Sequence, residues 1–299
     1  MPILKSLNIY GSVMGLTFRN LRKSPGLMLP LFYLALIELV GIAIIYYSVQ
    51  WPLNLVLAQP IKAFYGEISL HYPFNLVALL KIFNKYESFT EIIFGSLLAG
   101  MTISMYNQMT KNMTIRFGKN FNIAFNRYLR LLGYSLFLFI IIYGFSSATE
   151  YLRNMVLKNN DGYFLGMGAI KWSLIVAVVN FIFYLVIQIL FLYVPIGIIV
   201  ENFGLWRAAK ESIKVMRKYF LVSGLIVALP FLLYLANAFL GAFSGKLMDA
   251  IAPEVAIALT VLTVIVVFII NIMINISATI LYLNVKPPSA SPRQGPANA

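Results

Sequence analysis

The chain has 299 residues, of which 61% are hydrophobic and 11% charged, and its mean hydropathy is +0.84. An ordinary soluble domain is about 25% charged, so this composition excludes both a soluble globular enzyme and a disordered chain and points to a polytopic membrane protein. Twenty-three Lys and Arg against ten Asp and Glu give a formal charge of +13, which by itself fits nucleic acid, anionic lipid or membrane topology.

The absence of cysteine removes disulfides, thiolate metal sites and cysteine nucleophiles, and a single histidine, His71, rules out a histidine zinc site within one chain. No metal and no cofactor is expected. The opening 23 residues lack an apolar run ending in a small-residue cleavage site, so the first span is expected to serve as the targeting signal.

In chain order, six segments are apolar over enough residues to cross a bilayer: 27–49, 92–109, 131–145, 172–199, 220–239 and 256–283. The expected fold is all-α, a single polytopic bundle of six transmembrane helices over 1–283, with a disordered tail at 284–299 rich in Pro, Ser, Gly and Asn. Pro195 near the end of the fourth span and Pro230 within the fifth each remove a backbone donor, and a kink is expected at both. Between the first two spans, 50–91 reads as an outer loop. Within it Phe74, Val77, Leu80, Ile82 and Phe83 suggest a short interfacial helix at 74–85. Asn159-Asn160-Asp161-Gly162 reads as a turn in the second outer loop.

Sorting the charges by loop resolves the +13. The N-terminus, the second and fourth loops and the tail hold sixteen basic residues against Glu201 and Glu211. The other loops hold seven basic and seven acidic residues. This asymmetry predicts a multi-pass protein of the cell membrane with both termini in the cytoplasm. It also leaves little reason to expect nucleic acid as a partner, because topology already accounts for the base.

The basic segments each lead directly into an odd-numbered span. In 205–220, at about 100° per residue, Leu205, Trp206, Ala208, Ala209, Ile213, Met216 and Phe220 share one arc, and Arg207, Lys210, Lys214, Arg217 and Lys218 share another. This is a basic amphipathic helix, whose cations are expected to meet anionic headgroups of the inner leaflet. Segment 116–132 behaves similarly, with Arg116, Lys119, Arg127 and Arg130 on one face, while 9–23 is mixed. The chain can be read as three copies of one unit, an interfacial helix followed by two spans.

The run Val194-Pro195, Glu201-Asn-Phe-Gly204 and Ala208-Ala-Lys-Glu-Ser212, then a basic pair and Phe220 opening a span, resembles a known pattern. It is similar to the membrane domain fused to some glycerophosphodiester phosphodiesterases and to related stand-alone bacterial and archaeal membrane proteins. The basic Ser-Pro segment running into the first span is similar in style. The resemblance implies a six-helix membrane domain and brings no catalytic residue with it. The coupling helix of importer permeases does not fit: its glycine would fall at Ile213.

Inside the spans Glu38 reads as the only ionisable residue, with no intramembrane cation to pair with it. Asn180, Tyr184 and Gln188 form a polar stripe on the fourth span, and Thr260, Asn271, Asn275 and Tyr282 form another on the sixth. His71 and the Asn112-Met-Thr114 sequon read as surface features, and no catalytic arrangement is visible. The leading expectation is a non-enzymatic structural, scaffold or accessory membrane subunit contacting anionic lipid or a partner protein. The alternative is a small permease or channel for a polar solute or ion, using Glu38, Asn180, Gln188, Asn271 and Asn275.

Overall fold

The computed structural model describes residues 3–159, 163–164, 167–242 and 252–285, with side chains described throughout except at 156–174 and 237–242. The tail from 286, the turn at 160–162 and Asp249 lie outside the described residues. Among the described residues five helical runs are long and apolar enough to cross a bilayer: Pro25–Val49, Phe74–Thr110, Tyr128–Met155, Ile175–Glu201 and Val255–Val285. Leu205–Lys218 and Phe220–Ala236, bent by 98° at their junction, make a sixth if counted together. The architecture is an all-α polytopic bundle. Among the described residues the β structure is one two-residue antiparallel ladder, Tyr163–Phe164 (β1) against Met167–Gly168 (β2).

The helices are α1 (Ile3–Lys23), α2 (Leu29–Tyr46), α3 (Asn54–Tyr65), α4 (Phe74–Thr90), α5 (Ser96–Thr110), α6 (Phe117–Phe125), α7 (Tyr128–Asn159), α8 (Ala169–Phe191), α9 (Val194–Glu201), α10 (Leu205–Lys218), α11 (Phe220–Ala242) and α12 (Val255–Val285). The last is the central strut, packing against α11, α2, α5, α4 and α1. Its small residues Ser277, Ala278 and Thr279 are buried and let neighbours approach closely. The first helix packs along α12 and α11. Thr17 and Ser277 hydroxyls lie 2.9 Å apart, and Asn20 Nδ2 donates to Tyr106 Oη at 2.9 Å.

The structure corrects the reading of 50–109. There is no outer loop reaching residue 91 and no separate interfacial helix at 74–85. Instead α4 joins α5 through a π-turn at Glu91–Gly95, giving a 37-residue run. The physical reason is local: no Gly or Pro stands between Phe74 and Gly95, so nothing stops the helix. Leu76, Leu79, Phe83 and Thr90 are buried along one side, and α4 packs on α2 and α12. The helix that lies open at this end is α3, none of whose residues is buried. Similarly, 116–132 is not one helix, since the chain turns at Asn126–Arg127 between α6 and α7.

At Pro195 the expected interruption is present. The chain breaks at Leu192–Tyr193 and restarts as α9 with Pro195 in its first turn. Pro195 cannot donate to the carbonyl of Phe191, which instead accepts from Tyr134 Oη of α7 at 3.0 Å. The adjacent Leu190 carbonyl accepts from Ser212 Oγ of α10 at 2.8 Å, and Tyr193 N–H donates to that same oxygen at 3.2 Å. The corner is therefore held by side chains replacing a lost helical bond. Tyr134→Phe should lower stability by ~1–3 kcal/mol, the cost of leaving a buried carbonyl unpaired. Denaturant unfolding in lipid micelles measures it. At Pro230, by contrast, α11 continues as one helix.

Candidate functional site: an intramembrane carboxyl cluster and a basic corner

Glu38, in the middle of α2, is 1% exposed, and its Oε1 has no hydrogen-bond partner. It is not alone. Glu87 and Glu91, one turn apart on the run through α4, are the charged groups whose fields act on it. Glu87 and Glu91 thus stand on the helical run Phe74–Thr110 rather than in an outer loop. Their i, i+4 spacing and the unbroken apolar pattern before them were the signals available in the sequence.

Each group is placed by a specific contact. Asn271 Nδ2 on α12 donates to Glu91 Oε1 at 2.8 Å. The other oxygen of Glu91 lies over Gly95, where an added Cβ would come within 2.5 Å of it. The π-turn leaves the Ile93 carbonyl to accept from Tyr128 Oη of α7 at 3.1 Å. Such turns are rare and often sit at functional positions. Tyr86 Oη donates to the Ile37 carbonyl at 2.9 Å, and its ring rests on Gly41, so α2 and α4 meet beside Glu38. From α8, Tyr184 hydrogen-bonds Gln188 and lies in the field of Glu91, Glu87 and Tyr234.

The stripes proposed from sequence thus divide. Asn271 reaches Glu91, near Glu38, while Tyr184 and Gln188 of α8 pair with each other. Asn180 instead pairs with Thr149 of α7, whose hydroxyl lies 3.0 Å from Asn180 Oδ1. Asn275 and Thr260 each donate to a carbonyl one turn back in α12, at 2.8 and 2.7 Å. Tyr282 lies away from the carboxyl cluster, stacked on Tyr193 with ring centroids 6.0 Å apart. Replacing Gly95 with Ala is expected to push the Glu91 carboxyl off its seat and away from Asn271. Unfolding of Gly95→Ala and Asn271→Leu, singly and together, should show non-additive losses of ~0.5–3 kcal/mol.

Among the described residues no group of three or more His, Cys, Asp or Glu has the arrangement to hold a metal ion. A cavity of about 10 Å³, roughly room for one water probe, lies between the ends of α2 and α4 beside Ser48, Ser69 and Asn75 and does not include Glu38.

The second feature is the corner at α10. Ala208, Ser212, Val215 and Met216 are buried against the bundle. Counting about 100° per residue, they fill one sector of the helix. Beside it, Ala209 and Ile213 are half-buried and Trp206 is 74% exposed. In the remaining sector Arg207, Lys210, Lys214, Arg217 and Lys218 are all exposed. Protein, apolar solvent and polar solvent thus each have a side. Arg207 also covers the Phe203 ring, 4.3 Å from its centroid.

Arg127 and Arg130 occupy a different place from these five. Arg127 Nη1 donates to the Ile198 carbonyl at 3.0 Å and to that of Ile199, and Arg130 Nη1 donates to Asn202 Oδ1 at 2.9 Å. They neutralise the C-terminal end of α9, where cations are favourable. Asn202 ends that helix with a left-handed φ of 56°. Close by the start of α6, Gln108, Met113, Thr114, Arg116 and Lys119 line an open recess of about 270 Å³.

Compared with protein-family models, with curated proteins and with solved structures, the chain matches none of them.

Proposed function

We propose that this is a non-enzymatic protein of the cell membrane, a structural or accessory subunit whose basic end faces the cytoplasm and holds anionic lipid headgroups. The observation that carries the proposal is the three-sided division of α10, together with its 98° bend from α11. A helix lying across the end of a span, with a buried side, an apolar side carrying exposed Trp206 and a side of five exposed cations, suits the boundary between acyl chains and headgroups. The recess beside Arg116 and Lys119 adds a second place where a phosphate could sit. In this reading both termini lie in the cytoplasm, as the charge asymmetry favours. The resemblance of the corner to the membrane domain of glycerophosphodiester phosphodiesterases belongs to the same proposal. The residues that carry it do structural work here: Ser212 bonds the broken helix, and Gly197 sits 3.5 Å, measured from an added Cβ, from Ala208.

The test is lipid selectivity in nanodiscs mixing phosphatidylglycerol and phosphatidylcholine, read with spin-labelled lipids. Each basic residue near an anionic surface contributes about 1 kcal/mol. Replacing Lys210, Lys214 and Arg217 together by Ala should therefore cut the preference for phosphatidylglycerol by about tenfold or more. An unchanged preference would remove the proposal.

A further inference from the structure

Glu38 is the most fully buried charged side chain among the described residues, and nothing in its surroundings explains it as structure. A structural carboxyl in hydrocarbon should be hydrogen-bonded through both oxygens or paired with a cation. Glu38 Oε1 has neither, and the charges acting on Glu38 are those of two more acids. Glu91 is the reverse case, since its carboxyl is held on one oxygen by Asn271 and seated on the other over Gly95. Glu87 lies one helical turn, about 5–6 Å, nearer the end that carries α3. It is half-buried, as Glu91 is, while Glu38 is closed off. Two half-buried carboxyls thus stand beside a sealed one at the meeting of α2, α4 and α12.

We propose that Glu38 and Glu91 form a proton-binding site, and that Glu87 passes the proton between it and the membrane face opposite the basic helices. The proton adds to a carboxylate oxygen to give a neutral carboxylic acid, and the same bond breaks on release, so no other reactant is needed. On α4 Tyr86 stands with Glu87 and Glu91, while Lys81 and Lys85 of that helix are exposed, Lys85 against the Tyr65 ring; α7 brings Tyr128, α8 Tyr184 and α11 Tyr234. The residue offered by α12 is the neutral amide of Asn271. Among the described residues no ion pair reaches Glu38, Glu87 or Glu91, so protons are the cations that balance them. Chains of acids in membrane proteins commonly relay protons. The inference is independent of the lipid-binding proposal, because neither set of residues touches the other.

The test uses the full-length protein in nanodiscs, with infrared difference spectra recorded between acid and alkaline pH. The carbonyl stretch of a protonated carboxyl is the readout, identified by its shift in D2O. Wild type is expected to show a titrating carboxylic-acid band that exchanges slowly in D2O, set apart from the surface carboxyls, which exchange at once. Glu38→Gln and Glu91→Gln should each abolish or displace it, while Glu67→Gln, at an exposed ion pair with Lys62, should leave it in place. Glu87→Gln should keep the band and slow its exchange with deuterium severalfold. A band that survives Glu38→Gln combined with Glu91→Gln would overturn the proposal. So would a wild-type spectrum in which every titrating carboxyl band exchanges with deuterium at once, a result that needs no variant.

Discussion

Glu38→Met should make the protein more stable. An ionisable side chain at the centre of a span costs at least ~2.5–3.5 kcal/mol, and this one recovers little of it, because its Oε1 is unpartnered and its electrostatic neighbours are Glu87 and Glu91. Methionine is of similar volume, fits an irregular space and brings no polar atom. Replacing a poorly compensated buried charge by a well-packed apolar residue is commonly neutral or stabilising, and here a gain of ~1–3 kcal/mol is expected. Removing the donor to Glu91 with Asn271→Leu should act in the opposite sense and cost ~1–3 kcal/mol, because a buried acceptor loses its partner. Unfolding in mixed micelles, followed by circular dichroism, compares the two. A loss of stability on Glu38→Met would mean that the carboxyl is part of the framework of the bundle and would remove the reason for assigning it a function.

Gly41→Ala should cause the largest loss. The Cβ it adds would lie 2.0, 2.4 and 2.8 Å from three ring atoms of Tyr86. The ring cannot swing away freely, since its hydroxyl donates to the Ile37 carbonyl and Phe83 stands 6.3 Å away, centroid to centroid. Either α2 and α4 separate or Tyr86 gives up its bond. Overpacking costs ~1–3 kcal/mol, and the lost bond adds ~1 kcal/mol. Combining Gly41→Ala with Tyr86→Ala should recover ~1–3 kcal/mol relative to the sum of the two single changes. Gly15→Ala is the matching control. An added Cβ there meets nothing within 4 Å in the middle of α1, and the gain in helix propensity should stabilise by ~0.5–1 kcal/mol. If Gly41→Ala behaves like Gly15→Ala, α2 and α4 are not packed as described.

These two positions show which parts of the molecule its sequence makes legible. Apolar runs of about twenty residues announce spans directly, because the bilayer demands length and little else. Accordingly the all-α bundle, the break at Pro195 and the division of α10 follow from periodicity and proline chemistry alone. The carboxyl cluster did not follow, for a definite reason. From sequence alone Glu87 and Glu91 fall in the outer loop because the second apolar run begins only at 92. The contacts that hold them in the bundle, Asn271 on α12 and the space above Gly95, lie far apart in sequence or consist of a missing side chain. A π-turn leaves no mark on composition, and Gly41 reads as any other glycine until Tyr86 is seen against it. Likewise Arg127 and Arg130 share a charge pattern with Lys119, and only the fold reveals that they face the carbonyls ending α9.

Because the chain contains no cysteine, the depth and order of the three acids can be read by introducing one thiol at a time. A membrane-impermeant maleimide applied to each face of oriented vesicles gives the rates. Glu87→Cys should react from the face opposite the basic helices, as Glu67→Cys does, but more slowly. Glu91→Cys should react more slowly still, and Glu38→Cys should stay unlabelled from either face until the protein is denatured. Lys210→Cys should react from the other face alone. Rapid labelling of Glu38→Cys in the folded protein, or labelling of Glu87→Cys from the same face as Lys210→Cys, would contradict the placement of the carboxyl cluster within the membrane.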